Sequence, residues 1–332
     1  MKRVLIVVSI LFLFATGLFA QTYDEFKGYF ETFSQEAANS LPITASVGGN
    51  WSPAYIGQFP HFGIGISLGG MFLPYESIKP VVDGLGVSVP QELEKYGVPF
   101  PVLAADARLG GFILPFDVGV KFGFIPDKAK ELFSADVTAD YLLVGFDARL
   151  RLVEGSGLLP TISAGAGYNF MRGTLGVNDV SSGETIDISV PMNAAGYGGL
   201  HQLIITDPDL VFNWDTHTIQ AKAQASWNLA ILTPHVGFGA AHGFSNAGGG
   251  LFSTLAYSGP NDLTTVQQVF DSYGYPIPTV DGIEVSSEAN GWSFWVYGGT
   301  AFNIFIVKLD LSAMYNFLSG AYGASANVRI QL

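Results

Sequence analysis

Charged side chains make up only 13% of this 332-residue chain. Eleven of them stand at alternate positions of otherwise apolar runs: Asp106, Arg108, Asp117, Lys121, Asp147, Arg149, Arg151, Lys222, Lys308, Asp310 and Arg329. Residues of opposite sign on one face of a strand can pair, bind a charged solute or line a wet passage. Two chemistries follow. One is a polar conduit or ligand-binding surface, slightly basic and so mildly favourable to anions. The other is an ion-pair network that fills and rigidifies a narrow interior.

Other constellations carry less. His217 stands near Asp215, Asp209 and Asp207, and a carboxylate can orient an imidazole that activates water. No second motif supports that pairing, so no catalytic residue is assigned and no enzyme is expected. His235 and His242 are seven apart; on a strand they face opposite sides and cannot share a metal. His61 and His201 fall in connections, and no metal is expected. Gly248-Gly249-Gly250 lacks the strand-to-helix setting and the lysine of a phosphate loop. The chain has no cysteine, which removes disulfides, thiol catalysis and thiolate metal sites together. No cofactor is expected. A net charge of -13 argues against nucleic acid as a partner.

The elements that must position these charges are strands. The chain is 48% hydrophobic, yet no interior apolar run reaches the ~18 residues of a membrane helix. The oil is spread over alternate positions instead, which is the period of a strand with one apolar and one polar face. In 304–317, Leu309, Leu311 and Tyr315 alternate with Asp310, Ser312 and Asn316. In 116–124, Val118, Val120 and Phe122 alternate with Asp117, Gly119 and Lys121. The same pattern marks 62–72, 102–112, 137–153, 158–172, 218–228, 234–244, 292–302 and 322–332, with a Gly-rich candidate at 43–51. Short turns alternate with long connections over 74–99, 173–210 and 245–291.

The last segment, with Tyr322, Ala324, Ala326, Val328, Ile330 and Leu332 on one face, resembles the C-terminal strand of bacterial outer-membrane β-barrel proteins. Most of that family end in an aromatic residue where this chain has Leu332. The resemblance implies an all-β fold, an antiparallel transmembrane β-barrel with short periplasmic turns and long outer loops. It also implies outer-membrane lipid and the barrel-assembly machinery as partners. Eleven strands are read from the pattern, and single-chain bacterial barrels have an even number. The expectation is therefore about 12 strands, within a range of 10 to 14.

Ahead of the barrel, Lys2 and Arg3 precede an apolar stretch ending at Ala20. Residues 1–20 read as a cleaved signal peptide that exports the chain to the outer membrane. Residues 21–42 form a helical segment, with Tyr23, Phe26, Phe30, Phe33 and Ala37 making one amphipathic stripe. It is either a plug inside the barrel or a periplasmic helix on the rim. Pro42 is taken as its end, and 43–332 as the barrel. The leading function is a porin-like or transporter-like conduit for small solutes. The alternatives are a structural, surface-exposed interaction protein with a filled barrel, and a hydrophobic-ligand uptake barrel with an N-terminal hatch.

Overall fold

The computed structural model describes residues 23–48, 51, 53–57, 59, 61–77, 79, 91–111, 114–126, 137–178, 184–272 and 283–332. The expected signal peptide over 1–20 lies outside them. No helix among the described residues is long and apolar enough to cross a membrane.

Ten strands close on themselves. In chain order they begin with β1 (His61–Leu73), β2 (Val98–Gly110), β3 (Phe116–Phe124), β4 (Val137–Val153) and β5 (Thr161–Val177). After a short strand β6 (Glu184–Asp187) come β7 (Gln202–Ser226), β8 (Leu232–Ser258), β9 (Ile283–Ile304), β10 (Val307–Asn316) and β11 (Tyr322–Gln331). Neighbours pair antiparallel all the way round. Two pairings make the closure: β5 skips β6 to pair with β7, and β11 returns to β1. β6 pairs only with the tip of β7 and stands outside the ring.

The wall therefore has ten strands rather than about 12. The excess came from 43–51, which is not a strand. A helix, α1 (Tyr23–Ser46), runs straight through Pro42. A proline inside a helix loses a hydrogen bond and crowds the preceding turn. Here hydroxyls bond carbonyls on either side of that defect: Thr44 Oγ1 donates to Ser40 O and Ser46 Oγ to Pro42 O, both at 2.8 Å. Gly243 of β8 lies directly against the proline ring, where any side chain would collide with it. Removing the false strand from the eleven leaves an even ten.

The strand faces follow the period-two reading. On β1 Ile66 is 61% exposed while its neighbour Ser67 is 1%. On β3 Val118, Val120 and Phe122 point outward, and Asp117 and Lys121 are buried within. A closed ring leaves no unpaired strand edge, so its backbone groups are satisfied without water. An apolar exterior around a polar interior is the arrangement that suits lipid outside and protein or water inside.

One end of the ring carries tight connections, such as residues 305–306, and is called the turn end below. The other carries the long connections and is the loop end. At the loop end β7, β8 and β9 continue well past their neighbours, with 25, 27 and 22 residues against 9 for β3 and 10 for β10. Helix α2 (Gln91–Tyr96) sits in the connection before β2. Two further helices, α3 (Ser189–Ala194) and α4 (Leu263–Ser272), pack with β6 against the tall strands. Their contact is a separate apolar cluster of Ile188, Met192, Leu203, Val266 and Val269.

Candidate functional site: the plugged lumen

Helix α1 and the chain that follows it occupy the inside of the barrel. The helix enters at the loop end, where Phe30 and Phe33 meet Phe212 of β7 at ring distances of 6.3 and 5.0 Å. Halfway down, Pro42 sits on Gly243. Past Ser46 the described residues 47–48, 51 and 53–57 are in no strand, and at the turn end Arg151 reaches Ile56 O at 3.2 Å. The chain leaves the lumen there and starts β1 at His61.

The contents of the lumen change along its length. Near the loop end the packing is apolar. Phe30, Ala37, Ala38 and Leu41 of α1 are buried against the wall. Phe212, Trp214 and Phe100 complete an aromatic layer, with ring distances of 5.7 Å for Phe212–Trp214 and 5.1 Å for Phe100–Trp214. The helix presents small residues where it presses on the barrel, which lets a ten-stranded ring hold a helix about 10–12 Å wide.

Toward the turn end the lumen is charged. Asp117 receives Arg108 at 2.6 Å and Arg149 through two nitrogens at 3.1 and 2.6 Å. Arg108 also holds both oxygens of Asp147, at 2.8 and 2.7 Å. Arg329 pairs with Asp310 at 3.1 Å. These bonds join neighbouring strands of the wall, except that Arg108 reaches across β3 at Gly119 to Asp147 of β4, and buried charge is tolerable only when paired in this way.

Trp51 lies at the centre of that region. Its Nε1 donates to Asp106 Oδ1 at 2.5 Å. The guanidinium groups of Arg329 and Arg108 lie 4.8 and 5.5 Å from its ring, within cation–π range. Asp106 also accepts from Ser67 and Asn327. The indole presses so closely on β1 that only glycine fits at position 63. Wall donors then grip the backbone on both sides of the tryptophan. Lys121 Nζ donates to Ala45 O at 2.5 Å and Val47 O at 3.1 Å. Arg149 Nη1 reaches Pro53 O at 2.9 Å and Gln224 Nε2 reaches Trp51 O at 2.9 Å. Two voids of about 10 Å³ each adjoin this grip, room for roughly one water apiece.

The structure places the sequence-derived site residues as follows. Asp106, Arg108, Asp117, Lys121, Asp147, Arg149, Lys222, Asp310 and Arg329 come together in the charged region. Arg151 stands at the turn end, paired with Glu154 at 3.2 Å. Lys308 is at the rim, donating to Phe305 O at 3.1 Å and standing opposite Arg329 in the β10–β11 register. His217 faces outward, its Nδ1 2.6 Å from Tyr168 Oη and its ring 4.9 Å from that of Phe170. His235 is inside beside Tyr297, whereas His242 packs edge-on to Trp292. Among the described residues no cluster of His, Asp or Glu has the makings of a metal site.

Sequence reasoning missed Trp51, Gln224 and the plug carbonyls. Gly48-Gly49 and Pro53 weaken a strand reading of this stretch, but nothing local says what holds the indole.

No family model and no curated protein sequence matches the chain. Among solved structures it is similar to the translocator domain of the autotransporter NalP from Neisseria meningitidis, at 8% identity over 93% of this chain and 99% of that one, TM-score 0.35. The toluene transporter TbuX from Ralstonia pickettii matches at 9% identity over 88% and 92%, TM-score 0.26. The transport unit of the autotransporter AIDA-I from Escherichia coli matches at 9% over 93% and 99%, TM-score 0.28. These matched structures are bacterial outer-membrane β-barrels, the closed antiparallel architecture that the strand register independently gives this chain.

Proposed function

We propose that the chain is an outer-membrane conduit for small solutes that rests closed, with residues 23–57 as its removable plug. The observation that carries this reading is how the lumen is filled. A barrel that is merely solid can be packed by wall side chains alone, as in eight-stranded barrels. Among the described residues, this one is filled by the segment that precedes β1 and passes into it at the turn end. Withdrawing it breaks no strand pairing. Much of the wall's charge would stay satisfied, because Arg108, Asp117, Asp147 and Arg149 pair with one another.

A cysteine-free chain allows a clean test with an engineered lock. A Cβ built on Gly48 lies 3.3 Å from Ser67 Cβ, close to the ~3.5–4.5 Å of a disulfide. The full chain carrying Gly48→Cys and Ser67→Cys, refolded into a planar bilayer, is expected to open when reduced, fall silent when oxidised and recover on reduction. Folded protein that stays silent when reduced would overturn the conduit and leave a filled barrel. That second reading is supported by the cap of β6, α3 and α4 at the loop end, which leaves Val190 and Leu200 exposed to 82% and 61%.

A further inference from the structure

The wall holds the plug's carbonyls through donors, while Trp51 Nε1, Ala54 N and Gln35 Nε2 of the plug donate to Asp106, Ser226 and Glu288 O in return. Lys121, Arg149, Arg151 and Gln224 bond five backbone carbonyl oxygens, those of Ala45, Val47, Trp51, Pro53 and Ile56. Each carbonyl presents a partial negative charge to a cationic or amide nitrogen. Helix α1 also ends beside Lys121, so the negative end of its dipole faces the ammonium. The charged region holds five cations (Arg108, Lys121, Arg149, Lys222, Arg329) against four carboxylates (Asp106, Asp117, Asp147, Asp310). Its balance is therefore positive, and the plug supplies the missing negative charge as oriented oxygens. In the void beside Lys121 and Lys222, Asn169 is 1% exposed and its Nδ2 has no hydrogen-bond partner.

We infer that the passage uncovered by the plug is selective for small anions, with the plug's carbonyl oxygens standing where anions bind once it has left. Lys121, Lys222, Arg149 and Gln224 are the residues that receive them. Such a ring of cationic side chains is how pores favour anions. This inference rests on the plugged-conduit reading. Arg108 and Arg149 are balanced by Asp117 and Asp147, and Arg329 by Asp310, so the excess positive charge lies on Lys121 and Lys222 against Asp106.

The test is the reversal potential of openings from the reduced full chain under a potassium chloride gradient. Chloride is expected to permeate better than potassium. Lys222→Gln should lower the chloride-to-potassium ratio about 25-fold, because one unit charge at ~4 Å in water changes the concentration of each ion about fivefold in opposite directions. Lys308→Gln, at the rim opposite Arg329, should lower it less. Cation-selective openings from the unsubstituted chain would overturn the anion path while leaving the conduit standing, and that result does not depend on any variant folding. A ratio equally indifferent to Lys222→Gln and Lys308→Gln would also overturn it. Absence of openings would instead remove the conduit itself.

Discussion

The two halves of the lumen hold the same segment by different physics. Near the loop end the helix is held by packing, with Phe30, Phe33 and Leu41 against aromatic and small wall residues. That attraction is non-directional and scales with buried area. Near the turn end the chain is held by directional bonds to its carbonyls and by one indole between two guanidinium groups. A packed helix can shift and repack, whereas a carbonyl pulled away from a buried lysine leaves both groups unpaired. The turn-end half is therefore the latch and the loop-end half the guide.

The largest expected effect comes from breaking the latch. Trp51→Ala should weaken plug retention by about 3–5 kcal/mol, the usual cost of deleting a buried large aromatic. It also strips Asp106 of its indole donor. The readout is protease sensitivity of residues 23–57 in folded, membrane-inserted protein, which should rise sharply. Protection equal to the unsubstituted chain would reverse the assignment of latch and guide.

Crowding the guide should do less. Gly243→Leu places a side chain against Pro42 and should cost about 1–3 kcal/mol, as overpacking does. The helix can relieve part of this by shifting, so the same protease assay should show a smaller change than for Trp51→Ala. A larger change would mean that packing, not polar bonding, retains the plug.

The smallest effect should fall outside the lumen. Asp262 caps α4, accepting the Thr265 backbone N–H at 2.7 Å and its hydroxyl at 2.6 Å. The bonds to Thr265 hold its carboxyl below the ordinary range. A carboxyl lowered in the folded state stabilises above its ordinary value and loses that contribution as pH falls through the lowered one. Hydrogen exchange in α4 should thus speed up only in acid, and Asp262→Ala should abolish that pH dependence. Conductance should not change; if it did, the cap and the plug would be coupled.

Much of the wall was legible in the sequence, because one face meets an apolar surrounding and the other does not. Asp117, Lys121 and Arg149 could be assigned to the interior from period two alone. Strand length was not legible at the loop end. Residues 245–258 and 283–291 read as loop because they are rich in Gly, Ser and Asn, yet they extend β8 and β9. Beyond the apolar belt neither face needs to be oily, so the alternation fades while the ladder continues. Pro42 misled for a different reason. Its neighbours Thr44 and Ser46 alternate with Ile43, Ala45 and Val47 as a strand would. Their hydroxyls are spent inside the helix instead. The role of Trp51 needed knowledge that the chain threads its own barrel, and no local pattern carries that.

The uneven height of the wall has a mechanical consequence. A membrane-crossing strand needs about 9–11 residues; β3 has 9, while β8 has 27. The rim is therefore slanted, low along β10, β11, β1, β2 and β3 and high along β7, β8 and β9. Helix α1 lies chiefly against the high side. A helix sliding outward by one turn, about 5.4 Å, would still run along the same rail, past the small residues Ala247 and Gly248. In the proposed opening, the high side would guide the withdrawing helix, and the low side would leave the mouth facing sideways rather than straight up.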